Sequence, residues 1–574
     1  MKSRHFFLFI LVGLTFQGAG ARGEALDFHQ FGLLGIQDAG RRKPVDTFAR
    51  ETLLRISGAA TYHAADGTAN GKDWSAPDFL LSVLFATHDW RKEPLVLIPY
   101  HPLAEKLGLD AQRKRFSIEE LAGAATLPAL LRQGQELSRQ QKEVPRELKE
   151  AESLATRMEA FGHLVDNSAF TIVPPTPDAK ADRWGVPNPE SAGYGPAGQA
   201  EYKVAMDELS EMAQAYTGDK GFDFSVHAAR LRKALRDLNP AVYPTDPMLQ
   251  LEYTYNHMRA FAWAVALYSL AFVLLVIANA SKGKPAALTA CGLALAICGA
   301  LLQATGITLR CIIAGRPPVT NMFESVVWVS FGIMIFAFIF LIRYRALTYL
   351  LAALPVSLTC LLLVQQLPVA MPESIDPLVP VLRSNYWLTI HVLTITLSYA
   401  AFALAMGFGH IVLFRFIRDP LNAARDATLH FWLYRILQLG VLLLAAGTIL
   451  GGVWANYSWG RFWGWDPKET WALIALLCYI FVLHGRVVGW WDQFGLALAS
   501  VVCFCAVMMT WYGVNFILGK GLHSYGFGIG GEKYVAGFVC ADLAYVAVAA
   551  LRYRKAAPLL AAAQGELAED SYAH

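Results

Sequence analysis

The sequence contains no cysteine before residue 291, and none of its eight cysteines forms a CxxC or CxxCH pattern. Without CxxC the chain has no thioredoxin-like redox motif, and without CxxCH it cannot carry covalently attached haem itself. Charged residues are also scarce at 17%, and the formal net charge is only +3. A chain with so little excess charge gives no indication of nucleic-acid binding.

Hydrophobic residues are abundant instead, at 55% of the 574 residues, and 12% of all residues are aromatic. This composition excludes an ordinary soluble protein and favours an α-helical polytopic membrane protein with a sizeable soluble part. Residues 258–551 contain about nine apolar stretches, each close to the roughly 20 residues that a bilayer requires. We predict these transmembrane helices at residues 260–278, 286–306, 323–342, 347–364, 387–414, 433–452, 471–488, 496–513 and 534–550.

The first residues have the pattern of a secretion signal. Lys2 and Arg4 precede an apolar run, and small residues at 19–21 offer a cleavage site. We therefore predict that residues 1–21 are a signal peptide, with an uncleaved membrane anchor as the alternative.

Residues 22–257 have the composition of a soluble, mainly helical domain. Ser117 and Glu120 have the spacing of a capping box, and a Pro/Gly-rich linker is predicted at 174–198. We find no catalytic constellation in this domain. We expect it to lie outside the cytoplasm and to contact a partner.

Basic residues flank the apolar stretches on alternate sides of the predicted membrane. If the chain enters its first membrane helix from outside, all of these clusters fall on the cytoplasmic face, as the positive-inside rule requires. They are Lys282, Lys284, Arg343, Arg345, Arg415, Arg418, Arg425, Arg486, Arg552, Arg554 and Lys555. This orientation agrees with a secreted N-terminal domain, and it makes residues 552–574 a cytoplasmic tail.

Residues 454–471 hold five tryptophans, at positions 454, 459, 463, 465 and 471, which is unusual for a loop. At the end of this stretch Asp466 is suited to cap a helix and Pro467 to occupy its first position. Glu469 completes a capping box. We therefore predict a tryptophan-rich loop over 454–471 that leads directly into a capped membrane helix.

Several motifs, in a shared order, carry a resemblance to a known family. WGRFWGWDPKETWALI resembles the tryptophan-rich WWD signature of haem-handling proteins, and the downstream His484 fits the CcsA/ResC family of System II cytochrome c biogenesis proteins. The resemblance covers roughly residues 315–542. It includes GRPPVTNMFES at 315–325, YWLTIHVLTI around His391 and GLHSYGFG around His523.

In that family two histidines flanking the loop are external haem ligands, and a third inside the membrane serves an internal haem site. By resemblance these are His391, His523 and His484, acting as axial ligands of haem b iron. The residues implied to shape the haem pocket with them are Trp459, Trp463, Trp465, Asp466 and Trp471. Aromatic faces suit a large flat apolar ring, and Arg461 and Lys468 would neutralise haem propionates.

The resemblance also implies partners. A CcsB/ResB-like membrane protein would complete a haem-attachment synthase of which this chain is the CcsA component, although the N-terminal domain is not recognisably CcsB-like. Apocytochrome c would bring the CxxCH whose thiols add to haem. No side chain is an obvious general acid or base, so none is assigned as catalytic. The implied location is a bacterial cytoplasmic membrane, in contact with lipid, with the WWD loop facing the periplasm.

Spacing along the helices separates the histidines into two sites. His484 lies about 27 Å along its helix from the tryptophan-rich stretch, which is nearly the full thickness of the hydrocarbon layer. It therefore cannot share an iron with His391 or His523. We predict that the second ligand at the inner site comes from another chain, and His410 and His430 are the candidates within this one.

Three other functions fit part of the pattern. A System I-like haem chaperone or exporter shares a WWD loop but has different flanking sequence. A membrane b-type cytochrome would transfer electrons, but it usually places paired histidines on facing helices. A transporter would hold no redox cofactor. The absorption spectrum of the purified protein distinguishes these classes.

Overall fold

The computed structural model describes residues 26–63, 73–188, 194–281, 283, 285–378, 384–519, 521 and 531–572. The predicted signal peptide at 1–21 lies outside these residues. The described chain forms two parts, each with its own hydrophobic core. Phe79 and Phe224 are buried in the N-terminal domain, and Tyr268 and Phe402 are buried in a bundle of long helices.

The N-terminal domain is mainly helical, as predicted. Its helices are α1 (His29–Gly32), α2 (Val45–Ser57), α3 (Ala76–Leu84), α4 (His101–Lys106), α5 (Ile118–Ala122), α6 (Leu127–Arg139), α7 (Arg146–Val165), α8 (Pro196–Thr217), α9 (Gly221–Leu238) and α10 (Asp246–Met258). Three short antiparallel strand pairs accompany them. These are β1 (Gly35–Asp38) with β2 (Arg41–Pro44), β3 (Thr61–His63) with β4 (Asp73–Ser75), and β5 (Val96–Leu97) with β6 (Arg115–Phe116).

The structure describes two local features that were predicted for this domain. The Ser117 hydroxyl accepts a hydrogen bond from the Glu120 N–H at 3.1 Å, and the Glu120 carboxylate accepts one from the Ser117 N–H at 2.7 Å. The predicted capping box is therefore confirmed. Within the predicted Pro/Gly-rich linker at 174–198, Trp184 is buried and stacks on Tyr243 with ring centroids 5.5 Å apart.

Within the described residues, nine helical spans are long and apolar enough to cross a membrane, which confirms the predicted polytopic class. They are Asp246–Ala280, Ala286–Ala314, Met322–Tyr344, Thr348–Gln366, Asn385–Arg418, Thr428–Trp459, Pro467–Val487, Gln493–Leu518 and Glu532–Leu560. A helix satisfies its own backbone hydrogen bonds where water is absent, and for this reason each apolar stretch forms one.

The bundle consists of α11 (Ala260–Ala280), α12 (Ala286–Ala314), α13 (Met322–Tyr344), α14 (Thr348–Gln366), α15 (Asn385–Trp387), α16 (Leu393–Arg418), α17 (Pro420–Arg425), α18 (Ala427–Trp459), α19 (Pro467–Val487), α20 (Gln493–Val502), α21 (Phe504–Met508) and α22 (Glu532–Tyr572). Two π-helical segments interrupt it, Leu388–Val392 before α16 and Met509–Leu518 after α21. Such segments often mark functional sites. Because α22 runs to Tyr572, the predicted tail at 552–574 begins as a continuation of the last membrane helix.

The N-terminal domain contacts the helix ends that carry the signature motifs. Tyr255 in α10 accepts a hydrogen bond from Arg310 near the end of α12 at 3.2 Å. Arg146 in α7 lies 3.4 Å from the Glu532 carboxylate at the start of α22. The domain and these helix ends therefore lie at one face of the bundle.

Candidate functional site

Six helical elements surround a cavity at this face of the bundle. They are the start of α13, the π-helical segment Leu388–Val392, the start of α16, the end of α18, the start of α19 and the π-helical segment Met509–Leu518. The space between these elements, including its open mouth, has a volume of about 1080 Å³. Its wall is mainly apolar and aromatic, with a small number of polar groups.

His391 lies in this wall, within the π-helical segment Leu388–Val392. Its Nδ1 is 2.8 Å from the backbone carbonyl oxygen of Gly447 in α18. Its ring packs edge-to-face against Trp454, with ring centroids 5.7 Å apart. If Nδ1 donates to this carbonyl, the lone pair is on Nε2, which is the arrangement that backbone carbonyls commonly impose on metal-binding histidines.

Gly451 permits the imidazole to approach α18 this closely. A Cβ atom at residue 451 would lie 2.7 Å from Cε1 of His391, which is closer than side chains normally pack. The position of the ring therefore depends on a glycine one helical turn from its hydrogen-bond partner Gly447.

The tryptophan-rich loop is shorter than predicted. Helix α18 continues through Trp459 and ends at Gly460, whose left-handed conformation has φ of 69°. The loop therefore comprises residues 460–466 rather than 454–471, because the first tryptophans belong to the last turns of a helix. The predicted start of α19 is confirmed, with Asp466 as the cap and Glu469 completing the capping box.

The structure separates the tryptophans that the sequence grouped together. Trp463 lines the cavity, whereas the side chain of Trp465 is 70% exposed and contacts Trp463 edge-to-face at 5.9 Å. Trp459 lies under the Arg461 guanidinium, and neither it nor Trp471 lines the cavity.

Two further tryptophans line the cavity and were missed as site residues. Trp454 belongs to the tryptophan-rich stretch at 454–471, and the composition of that stretch already indicated a site there. Trp511 lies in an apolar membrane segment, where nothing in the sequence distinguishes it from a residue facing lipid. Its indole N–H donates to the Ser325 hydroxyl at 3.1 Å, which links the second π-helical segment to α13.

A buried ion network supports the wall formed by the GRPPVTNMFES motif. The Glu324 carboxylate accepts hydrogen bonds from Arg310 at 2.8 Å, from Arg316 at 3.2 Å and from the Thr320 hydroxyl at 2.6 Å. Arg310 also donates to the carbonyl oxygens of Glu373 and Ser374. The network holds the start of α13 to the preceding helix and to the loop after α14.

His523 lies outside the described residues, but its neighbour Gly521 is described. With φ of 104°, Gly521 lies directly against the helix cap, where an added Cβ would be 2.3 Å from Oδ2 of Asp466 and 2.8 Å from Cδ of Pro467. Gly521 therefore lies at the start of α19, beside the tryptophan-rich loop.

Residues 253–523 match the family model described as cytochrome C assembly protein. Cytochrome c biogenesis protein CcsA of Guillardia theta is 35% identical over 244 residues, covering 38% of this chain and 79% of that protein. This chain belongs to the CcsA family of cytochrome c biogenesis proteins. A CcsA protein of Prochlorococcus marinus is 31% identical over 302 residues, 46% of this chain and 93% of that protein.

A second kind of relative extends the similarity beyond the membrane part. Protein NrfI of Wolinella succinogenes is 31% identical over 527 residues, covering 86% of this chain and 54% of NrfI. An alignment of that length must include much of the N-terminal domain. The chain spans about half the length of this relative, and it matches most of the length of the CcsA proteins.

The histidine predicted for an inner site lies at the far end of α19. His484 is exposed, and its Nδ1 is 2.9 Å from the carbonyl oxygen of Ile480 in its own helix. Leu477, Phe481 and Val488 have the spacing that places them on the same side of the helix, and their side chains are exposed as well. The histidine therefore belongs to an apolar surface that other parts of the described bundle leave uncovered.

The two alternative inner ligands are engaged elsewhere. His410 uses Nδ1 toward the Met406 carbonyl oxygen at 2.9 Å and Nε2 toward the Asp542 carboxylate at 3.1 Å. His430 accepts a hydrogen bond on Nε2 from Arg486. None of these three hydrogen bonds involves His484.

We expect Gly521→Ala to reduce cytochrome c maturation more than Gly519→Ala. Both glycines have positive φ, but only Gly521 has atoms within 4 Å of the added Cβ. The change at 519 costs about 1–2 kcal/mol of backbone strain, whereas the change at 521 adds a collision with Asp466. The yield of haem-stained cytochrome c measures the effect, and the thermal midpoint of the purified protein serves as the control. Equal yields from the two variants would show that the contact at Asp466 is unimportant.

Proposed function

We propose that this chain binds haem b at the outer face of the membrane and presents it to apocytochrome c. The observation that carries the proposal is His391, held by the Gly447 carbonyl in the wall of a cavity lined by aromatic side chains. Membership of the cytochrome c biogenesis family supports haem as the ligand.

The residues of the cavity fit a porphyrin. The aromatic side chains Trp454, Trp463 and Trp511 offer flat apolar faces to a flat apolar ring. His391 would ligate the haem iron, and His523, two residues after the described Gly521 at the helix cap, would be the second ligand. Asp466 shapes the pocket through the start of α19, where it also caps the helix.

Bound haem supplies the two vinyl groups to which the cysteine thiols of CxxCH add. The chain's own contribution is to hold the ring in place and to limit access of water through an apolar wall. We assign no residue of this chain as a general acid or base. In this proposal the chain is the CcsA component of a haem-attachment synthase.

We also propose an inner haem site at His484, whose second ligand comes from a CcsB/ResB-like membrane partner. The exposed apolar surface around His484 supports this, because such a surface must contact either lipid or another membrane protein. The contacts of His410 and His430 argue against a ligand from this chain. Co-expression with such a partner, followed by haem titration of the His484→Ala variant, tests this assignment.

The orientation proposed is that of a multi-pass protein in a bacterial cytoplasmic membrane, with the N-terminal domain and the tryptophan-rich loop in the periplasm. A reporter domain inserted after the exposed Lys180 is therefore expected to be active only when the reporter requires export. A reporter fused after Tyr572 is expected to be active only in the cytoplasm. The reverse pattern would place the cavity on the cytoplasmic side and contradict the proposed orientation.

Trp463→Ala is expected to weaken haem retention about fivefold, whereas Trp465→Ala is expected to change it little. Trp463 lines the cavity and Trp465 is mostly exposed, so only the first change removes an aromatic contact, worth roughly 1 kcal/mol beyond burial. Haem loss to an excess of apomyoglobin measures retention. Equal losses from both variants would show that the ring does not lie against Trp463.

The function itself is tested with the full-length chain purified in mild detergent and, separately, in cells that lack their own haem-attachment system. We expect a b-type absorption spectrum from the protein. We also expect covalently bound haem on a co-expressed c-type apocytochrome once a CcsB-type partner is present. A folded protein that binds no haem when titrated would contradict the proposal and favour a transporter. Bound haem without any maturation of cytochrome c would favour an electron-transfer protein.

A further inference from the structure

Two charged side chains line the cavity from the start of α19, Lys468 and Glu469, and Lys468 is the cation of the two. Its Nζ lies 3.2 Å from Oδ1 of Asn515, and both side chains line the cavity wall. This amide is a neutral acceptor, so the hydrogen bond orients the ammonium group without neutralising its charge. The Asn515 side chain therefore holds the Lys468 ammonium group within a mainly apolar wall.

The neighbouring carboxylates contact groups other than the Lys468 ammonium, and Oε1 of Glu469 lies 3.8 Å from the Arg461 guanidinium. Oε2 of Glu469 accepts hydrogen bonds from the N–H groups of Gly464 at 2.8 Å and Asp466 at 3.2 Å. Oδ1 of Asp466 accepts the backbone N–H of Lys468 at 3.0 Å. In the part of the chain that the structure describes, no carboxylate lies within 4.0 Å of the Lys468 ammonium group.

Placing the Lys468 charge here raises the free energy of the folded protein unless an anion lies beside it. A positive charge in the first turn opposes the helix dipole, and a charge in a mainly apolar wall loses hydration that a neutral amide only partly replaces. An anionic group that enters the cavity would therefore be stabilised by Lys468. It would also gain the remaining hydrogen-bond donors of the ammonium group.

Arg461, the other cation of the tryptophan-rich stretch, is placed differently. Its guanidinium lies 3.8 Å from the Glu469 carboxylate and over the Trp459 ring, and it is not part of the cavity wall. The sequence offered Arg461 and Lys468 as equivalent candidates for an anion. The structure selects Lys468.

We propose that Lys468, oriented by Asn515, binds a propionate carboxylate of the porphyrin and so determines which edge of the ring faces α19. This inference rests on the proposed haem function. It predicts that the site recognises porphyrins by their free carboxylates, in addition to the iron and the flat ring.

The test compares haem b with haem dimethyl ester, whose propionates are esterified and carry no charge. Both are titrated into haem-free, full-length protein as the wild type and as Lys468→Met, Lys468→Arg and Arg461→Met variants. The measured quantity is the ratio of the two affinities within each variant, because partition of the ligands into detergent is the same for all variants.

We expect Lys468→Met to weaken haem b binding about tenfold, the usual scale of a charge-assisted hydrogen bond, with little change for the ester. Lys468→Arg should keep most of the preference for haem b, and Arg461→Met should leave the ratio unchanged. If Lys468→Met weakened both ligands equally, or if the wild type did not distinguish them, the propionate assignment would be wrong. Failure of the wild type to bind either ligand would instead contradict the haem function itself.

Discussion

Replacing His391 by alanine is expected to remove stable haem binding at the outer site and, with it, most cytochrome c maturation. The His391 side chain is the proposed iron ligand. Removing only the group that hydrogen-bonds to a metal-ligating histidine already lowers the affinity for the metal roughly 10–100-fold. The variant's absorption spectrum is expected to show loosely held or five-coordinate haem. Because His523 is proposed as the opposite ligand, its alanine variant should behave in the same way.

Added imidazole separates a role in iron binding from a role in packing. Imidazole is expected to restore part of the six-coordinate spectrum in His391→Ala, since it occupies the space of the lost ring and supplies the same nitrogen. His163→Ala, on the exposed surface of the N-terminal domain, is the control and should mature cytochrome c normally. Normal yield from both the His391 and His523 variants without imidazole would refute the ligand assignment.

Glu324→Ala is expected to destabilise the protein by about 3–5 kcal/mol, the usual cost of leaving a buried charge without its partner. The Glu324 side chain is fully buried, and its removal leaves the guanidinium groups of Arg310 and Arg316 without a neutralising carboxylate. The thermal midpoint and the yield of detergent-extracted protein measure the loss. We expect cytochrome c maturation to fall with them, since the network supports the cavity wall at residues 319–322.

An exposed ion pair provides the matched control. Arg415 lies 2.7 Å from Asp426, and both side chains are partly exposed. Asp426→Ala should therefore change stability by less than about 1 kcal/mol. The double variant Arg310→Met with Glu324→Met should be less damaging than Glu324→Ala, because it leaves one buried guanidinium without its partner rather than two. A Glu324→Ala variant as stable as Asp426→Ala would show that the network does not hold the wall.

Features that depend on nearby residues were predictable from the sequence. The capping boxes at Ser117 and Asp466 require only side chains three residues apart, and both are present. The extent of the tryptophan-rich loop was not predictable in this way. Tryptophan occurs both in helices and at membrane interfaces, so Trp454 and Trp459 gave no signal that α18 continues through them.

The sequence by itself determined that this is a polytopic membrane protein and where its nine described spans lie, because an apolar segment in lipid has few alternatives to a helix. Only the tertiary structure decided which of the tryptophans face the cavity and which of two cations enters it. It also revealed the contact of His391 with Gly447 and the pairing of Arg310 with Glu324. These choices join residues from different helices, and they follow from the packing of those helices rather than from any local pattern along the chain.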